Sequence, residues 1–298
     1  MRCLLTVLLA SLPCVLAPSS FAQDTTTIEP IFVWPDLAPG ETQRTTGTQL
    51  PMRAVDKPPI IRIEKIRRPL MNVYPATKNP NGSAVLILPG GGFGKVVPNL
   101  EGSEAAEWLC GMGVTCFVLN YRTRLPNNTQ EPGWKRPLQD AQRAMRWIRA
   151  NADKWNLKSD KIGLLAFSAG GQVGAILITN EDPTYAAIDK IDEHSFRPDF
   201  AMLIYPWNMY EKKTDKLMPA IQVNTSTPPS FIVHTHDDGS TSLGSVLLYA
   251  DMKRQQVPAE LHVYETGGHG YGTRPRPDSN IGSWTDRATD WLARRLPH

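Results

Sequence analysis

Ser168 ends an apolar run, Lys161-Ile-Gly-Leu-Leu-Ala-Phe-Ser-Ala-Gly-Gly171, and small residues follow it at once. A serine at a sharp strand-to-helix turn has its Oγ pushed out above the sheet edge. Its neighbours must be small, because strand and helix pass close together there. The pattern that builds such an elbow is Gly-x-Ser-x-Gly. Here it is Ala166-Phe167-Ser168-Ala169-Gly170, with alanine for the first glycine. Alone, the segment reads equally as a plain serine-bearing turn. A second segment, Ser83-Ala-Val-Leu-Ile-Leu-Pro-Gly-Gly-Gly-Phe93, opens from a buried-strand run into three glycines. Such a loop lets backbone N–H groups approach a ligand without Cβ obstruction, as stabilising an oxyanion requires. We assign those donors to Gly91, Gly92 and Ala169, the residue after the serine. A phosphate-cradling loop would need a Gly-Lys-Ser/Thr ending, and Lys95 falls in the wrong place for it.

Two strand-like runs complete the set. Ser230-Phe-Ile-Val-His-Thr-His-Asp-Asp-Gly239 ends in acids, and Leu261-His-Val-Tyr-Glu-Thr-Gly-Gly-His-Gly270 ends in a glycine-flanked histidine. The order Ser, Asp, His, each beyond the carboxyl end of a strand, suits acyl transfer on an open α/β sheet. His269 is the candidate base because flanking glycines give its loop room. Asp238, four residues after His234, is preferred to Asp237 as the acid that fixes the imidazole tautomer. His194 and His298 fall in polar or terminal segments, and His262 reads as a packed or surface strand residue. A competing constellation is His234-Thr-His236-Asp237-Asp238, which resembles the start of a binuclear metal loop. A further histidine directly after the acid is missing, Gly239 stands there, and no second histidine cluster exists. The expected chemistry therefore uses no metal and no cofactor.

Taken together, the segments resemble a bacterial secreted α/β-hydrolase of the acetylxylan-esterase or feruloyl-esterase-like type, within the esterase/lipase superfamily. The resemblance is carried by Leu88-Pro89-Gly90-Gly91-Gly92-Phe93, Glu101-Gly102, Leu119-Asn120-Tyr121-Arg122, Phe167-Ser168-Ala169-Gly170-Gly171, Arg197-Pro-Asp-Phe200, Tyr205-Pro206 and the run from Val257 to Gly272. It implies Ser168 as nucleophile, His269 as base and Asp238 as acid, and a carboxylic ester hydrolase acting on small acyl esters, acetyl groups on plant-type polysaccharides or oligosaccharides among them. The departures are Pro89 where many lipase-type relatives carry histidine, Ala166 in the elbow, and residues 239–242 in place of a Pro/Val-rich stretch. An altered acid loop leaves a different class open, a carbohydrate-binding pseudo-hydrolase without turnover.

The elements that must position these residues scan as alternating strand and helix. Short apolar runs at 84–88, 114–119, 162–167, 200–205, 231–235 and 261–264 suit a mostly parallel twisted sheet with helices on both faces. Residues 60–74 suggest antiparallel edge strands. Leu138, Ala141, Met145 and Ile148 fall on one helical face. So do Leu243, Val246, Leu247 and Ala250, and Trp284, Ala288, Trp291 and Leu292, all three stripes expected in the core. Residues 207–229 are short for a cap domain, so a minimal cap over a shallow cleft is expected, with Trp134, Trp207, Tyr210 and Tyr271 as aromatics able to stack on sugar rings.

At 298 residues, 41% hydrophobic and 20% charged, the chain can bury one substantial core. A net charge of +3 with signs interspersed excludes a nucleic-acid footprint; Arg67-Arg68 and Arg294-Arg295 are isolated pairs. Residues 1–22 read as a cleavable signal peptide with Ser20-Phe21-Ala22 at the cleavage site, Pro13 interrupting the apolar run. The expectation is a periplasmic or secreted protein, without a membrane anchor, whose residues 23–298 form one domain with an extended lead at 23–59. Cys110 and Cys116 then remain, read as free thiols.

Overall fold

Runs such as Ala84–Leu88, in which every residue is apolar, cannot form a sheet with one wet face and must be covered on both sides. In a computed structural model, which describes residues 28–125 and 130–296, they build an eight-stranded sheet. Its strands are β1 (Ile31–Phe32), β2 (Leu70–Tyr74), β3 (Ala84–Leu88), β4 (Thr115–Asn120), β5 (Ile162–Phe167), β6 (Ala201–Ile204), β7 (Ser230–Thr235) and β8 (Ala259–Tyr264). The spatial order is β1-β2-β4-β3-β5-β6-β7-β8. β2 runs antiparallel to both neighbours, and every pair from β4 to β8 is parallel. The expected mostly parallel α/β architecture is borne out. The signal-peptide reading of residues 1–22 and His298 lie outside the described residues. Among the described residues no helix is long and apolar enough to cross a membrane.

Among the described residues five α-helices cover the two faces: α1 (Glu104–Gly111), α2 (Lys135–Ala150), α3 (Ser168–Thr179), α4 (Leu243–Arg254) and α5 (Trp284–Ala293). One core layer holds Leu138, Met145 and Ile148 of α2 with Val173 and Ile176 of α3 and Leu248 of α4. The other holds Leu109 of α1 with Trp284, Trp291 and Leu292 of α5. The α2 and α5 stripes are buried as expected. The α4 stripe is not: Leu243 and Val246 are exposed, and the buried residues are Gly244, Ser245, Leu248 and Met252. Close approach sets that face. A Cβ on Gly244 would lie 2.8 Å from the Met209 Cβ, so the helix face that carries Gly244, Ser245, Leu248 and Met252 packs inward and Leu243 and Val246 are left outside.

Two other expectations shift. Within 60–74 only β2 joins the main sheet; Ile63–Glu64 pairs with Thr48–Gln49 and Lys95–Val96 in a separate three-stranded sheet. The edge beside β2 is β1, contributed by the N-terminal lead. That lead is part of the core: Val33 and Trp34 are buried, and Trp34 Nε1 donates to Asp140 Oδ1 at 2.8 Å. The same carboxylate accepts from Arg122 Nε at 2.9 Å and from the Arg122 backbone N–H at 2.8 Å, while Arg122 Nη1 donates to the Pro39 carbonyl at 2.7 Å. Arg122 and Asp140 are fully buried, and a buried charge persists only when paired and hydrogen-bonded. Cys110 and Cys116 are free thiols, the Cys110 Sγ–H donating to the Tyr74 carbonyl at 3.2 Å.

Candidate active site

β5 ends at Phe167 and α3 begins at Ser168, so the chain reverses within one residue. Ser168 takes the cost at φ +52°, a left-handed conformation that non-glycine residues rarely adopt. Small neighbours make it possible. A Cβ on Gly90 would sit 2.5 Å from the Ser168 Cβ. The alanine in place of the first elbow glycine is accommodated across the strand–helix contact, where Gly174 of α3 faces it: a Cβ on Gly174 would come within 2.8 Å of the Ala166 Cβ. The missing glycine has in effect moved from strand to helix.

The structure brings Ser168, His269 and Asp238 together from three different strand ends. Ser168 Oγ lies 2.7 Å from His269 Nε2, and His269 Nδ1 lies 2.6 Å from Asp238 Oδ2. Asp238 also accepts from the Ser240 N–H at 2.7 Å and lies 3.1 Å from His234 Nε2. Burial pushes the Asp238 pKa up, but the hydrogen bonds from His234, His269 and Ser240 outweigh it and hold the carboxyl well below the usual range. Asp237 does different work. It accepts from Gly267 N–H at 3.1 Å and Gly268 N–H at 2.8 Å and so holds the loop that carries His269; those backbone bonds, Gly268 first, lower its pKa.

His234 is the residue whose position sequence reasoning undervalued. It is fully buried, with Nδ1 2.8 Å from Ser245 Oγ and Nε2 on Asp238. Its only signal was the spacing of four residues to Asp238. Those contacts also separate the alternative metal ligands: His234 has both ring nitrogens engaged, whereas His236 is exposed. Among the described residues no group of three or more His, Cys, Asp or Glu is placed to hold a metal ion.

Gly91 and Gly92 line the same cleft as Ser168, at φ +132° and +63°, and among the described residues their N–H groups have no hydrogen-bond partner. A Cβ at Gly91 would collide with the Lys95 carbonyl. Ala169 N–H lies in the first turn of α3, where N–H groups have no intrahelical partner. Gly90 N–H is spent differently, donating to Glu101 Oε2 at 2.7 Å. Glu101 sits in a π-helical turn, Asn99–Ser103, and accepts from the Tyr205 hydroxyl at 2.8 Å; that hydroxyl accepts in turn from Gly272 N–H at 2.9 Å. Burial raises the Glu101 pKa, against the Tyr205 and Gly90 hydrogen bonds and the His269 charge. The Tyr205 ring meets the His269 ring edge-on, centroids 5.0 Å apart. A buried carboxylate and a tyrosine thus tie the glycine loop to the histidine loop.

Together these groups line a cleft of about 600 Å³. Of the four aromatics singled out, Trp207 lines it. Tyr271 is buried beneath Tyr205 with ring centroids 4.3 Å apart, Tyr210 donates its hydroxyl to Asp215, and Trp134 packs on the core. An arrangement of this kind lets an imidazole take a hydroxyl proton while a carboxylate steadies the imidazolium.

The sheet order and the helices on both faces give the fold of the α/β-hydrolases. Residues 71–197 match the BD-FAE family model. An acetylxylan esterase of Xylanibacter ruminicola is 28% identical over 219 residues, covering 65% of this chain and 42% of that protein. Endo-1,4-beta-xylanase B of Butyrivibrio fibrisolvens is 30% identical over 205 residues, covering 62% of this chain and 32% of that protein. The chain thus spans less than half the length of these two relatives. The crystal structure of an acetyl ester-xyloside bifunctional hydrolase from Caldicellulosiruptor lactoaceticus superposes with a TM-score of 0.67 at 26% identity, covering 90% of this chain and 96% of that one. The resemblance to acetylxylan-esterase-like α/β-hydrolases read from the motifs is borne out by these matches.

Proposed function

We propose that the protein is a serine carboxylesterase that removes small acyl groups, acetyl above all, from plant-type polysaccharides or oligosaccharides. One observation carries the reading: the unbroken line from Ser168 Oγ through His269 to Asp238, at 2.7 and 2.6 Å. His269 Nε2 takes the Ser168 proton as Oγ attacks the ester carbon. The tetrahedral oxyanion rests on the N–H groups of Gly91, Gly92 and Ala169. His269 then gives its proton to the leaving alcohol, and water, deprotonated by the same imidazole, releases the acid. Esterases and a xyloside hydrolase among the similar proteins support the substrate class.

Ser168→Ala tests the assignment, since it removes the nucleophile and little else. Turnover of p-nitrophenyl acetate should fall by at least about a thousandfold while the far-UV circular dichroism is unchanged. Turnover that survives the substitution, or that a chelator abolishes while a serine-directed phosphonate does not, would overturn it. Binding of acetylated glycans with no hydrolysis by the unaltered enzyme would select the pseudo-hydrolase instead. Export is part of the same proposal: protein recovered outside the cytoplasm should begin at Gln23, and an N-terminus still carrying residues 1–22 contradicts it.

A further inference from the structure

Beside the cleft lies a second cavity of about 440 Å³, and the two share Ile60, Leu100 and Gly270. Its walls are two proline-bearing segments, Val55–Pro58 and Arg274–Pro277. Proline fixes φ, so both walls are stiff. Arg274 braces them: it donates to the carbonyls of Pro58 at 2.8 Å and Pro59 at 3.2 Å, and pairs with Glu104 at 2.6 Å. Asp56 is likewise spent, on Arg62 at 2.6 Å. Two cations remain. Lys57 and Arg276 are exposed on opposite walls, and neither has a carboxylate at ion-pair distance among the described residues. Among the described residues Arg276 is oriented through the carbonyls of Gly270 at 3.0 Å and His269 at 3.4 Å, neither of which neutralises its charge.

The location says which part of a substrate reaches this cavity. Resting on the esterase reading above, His269 must protonate the leaving alcohol, so the alcohol lies over His269. Gly270, its neighbour, lines both cavities. The carbonyl oxygen of the ester is then directed at the N–H groups of Gly91 and Gly92, which line the same cleft. We infer that this annex binds a carboxylate carried on the alcohol side of the ester, and that the preferred substrate is an acylated oligosaccharide bearing a uronic acid residue, held by Lys57 and Arg276.

The test compares an acetylated xylo-oligosaccharide carrying a uronic acid branch with the same molecule whose branch carboxyl has been reduced to the alcohol. Two partly exposed ion pairs predict about a three- to tenfold preference for the acidic form in kcat/KM at low salt, shrinking at 0.5 M salt, a condition chosen because it screens charges beyond a few Å. In the K57Q/R276Q enzyme the ratio should fall to about one. Because the ratio is taken on one enzyme, any general loss from disturbing the His269 loop cancels. Binding of both oligosaccharides to the Ser168→Ala protein by calorimetry gives the same ratio without turnover, so a failed esterase reading and a failed annex are told apart. Equal handling of the two sugars by the unaltered site, or a preference that survives the double substitution, overturns the inference.

Discussion

His234 offers the sharpest test of how the acid is held. Asp238 is buried and takes three donors, His234 Nε2 at 3.1 Å, His269 Nδ1 at 2.6 Å and Ser240 N–H at 2.7 Å. His234→Phe keeps most of the volume and removes one of them. A hydrogen bond to a charged group is worth about 1.5–3 kcal/mol, and the Ser245 hydroxyl, left without its partner, adds about 1 kcal/mol. The variant should therefore be about 2–4 kcal/mol less stable at pH 7 by urea unfolding, with unchanged m value. The pH dependence has a definite sign. The folded-state pKa of Asp238 lies below its unfolded value, so its stabilisation is present above the unfolded carboxylate range, about 4, and is lost as pH falls toward the folded value. Losing a donor raises the folded pKa. The contribution of Asp238 to the gap between the two proteins should thus narrow as the pH falls below about 4. His234→Gln, which retains a donor, should recover part of it. A phenylalanine variant as stable as the parent at pH 7, or a deficit that does not narrow in acid, would refute the argument.

Two further outcomes follow from packing. Gly174→Ala should destabilise by about 1–3 kcal/mol through overpacking against Ala166, and combining it with Ala166→Gly should restore about 1 kcal/mol or more in a double-mutant cycle. Asp140→Leu strands a fully buried arginine and should cost about 3–5 kcal/mol by urea unfolding, most of it recovered when Arg122→Met is added.

The parallel sheet was legible because buried strands must be apolar throughout, and those runs stand out against the polar turns between them. β4 and β6 differ from the expected 114–119 and 200–205 by one residue at each end. Ser168, Asp238 and His269 were legible as positions because each follows a strand end. What escaped was set by contacts between distant segments. The inward face of α4 depends on Gly244 meeting Met209, and hydrophobic spacing assigns the opposite side. The sequence singled out Glu101 as a residue that could orient the glycine loop, and its bond to Gly90 N–H fits that, but its second partner Tyr205 lies 104 residues away. His234 is likewise joined to Ser245, 11 residues on, a partner that its local spacing to Asp238 does not reveal. The lead at 23–59 read as extended because it is proline-rich, and no local pattern marks its Val33 and Trp34 as core residues.

The bond from Trp34 to Asp140 spans 106 residues. A chain that emerges N-terminus first carries its strap from the outset and has nowhere to fasten it. Until α2 has been made, that indole and the guanidinium-binding carbonyl of Pro39 stay wet, and the carboxylate and arginine that need them do not yet exist. Long-range closure of this kind is slow. The lead can therefore lock only once α2 is in place, 106 residues further along the chain.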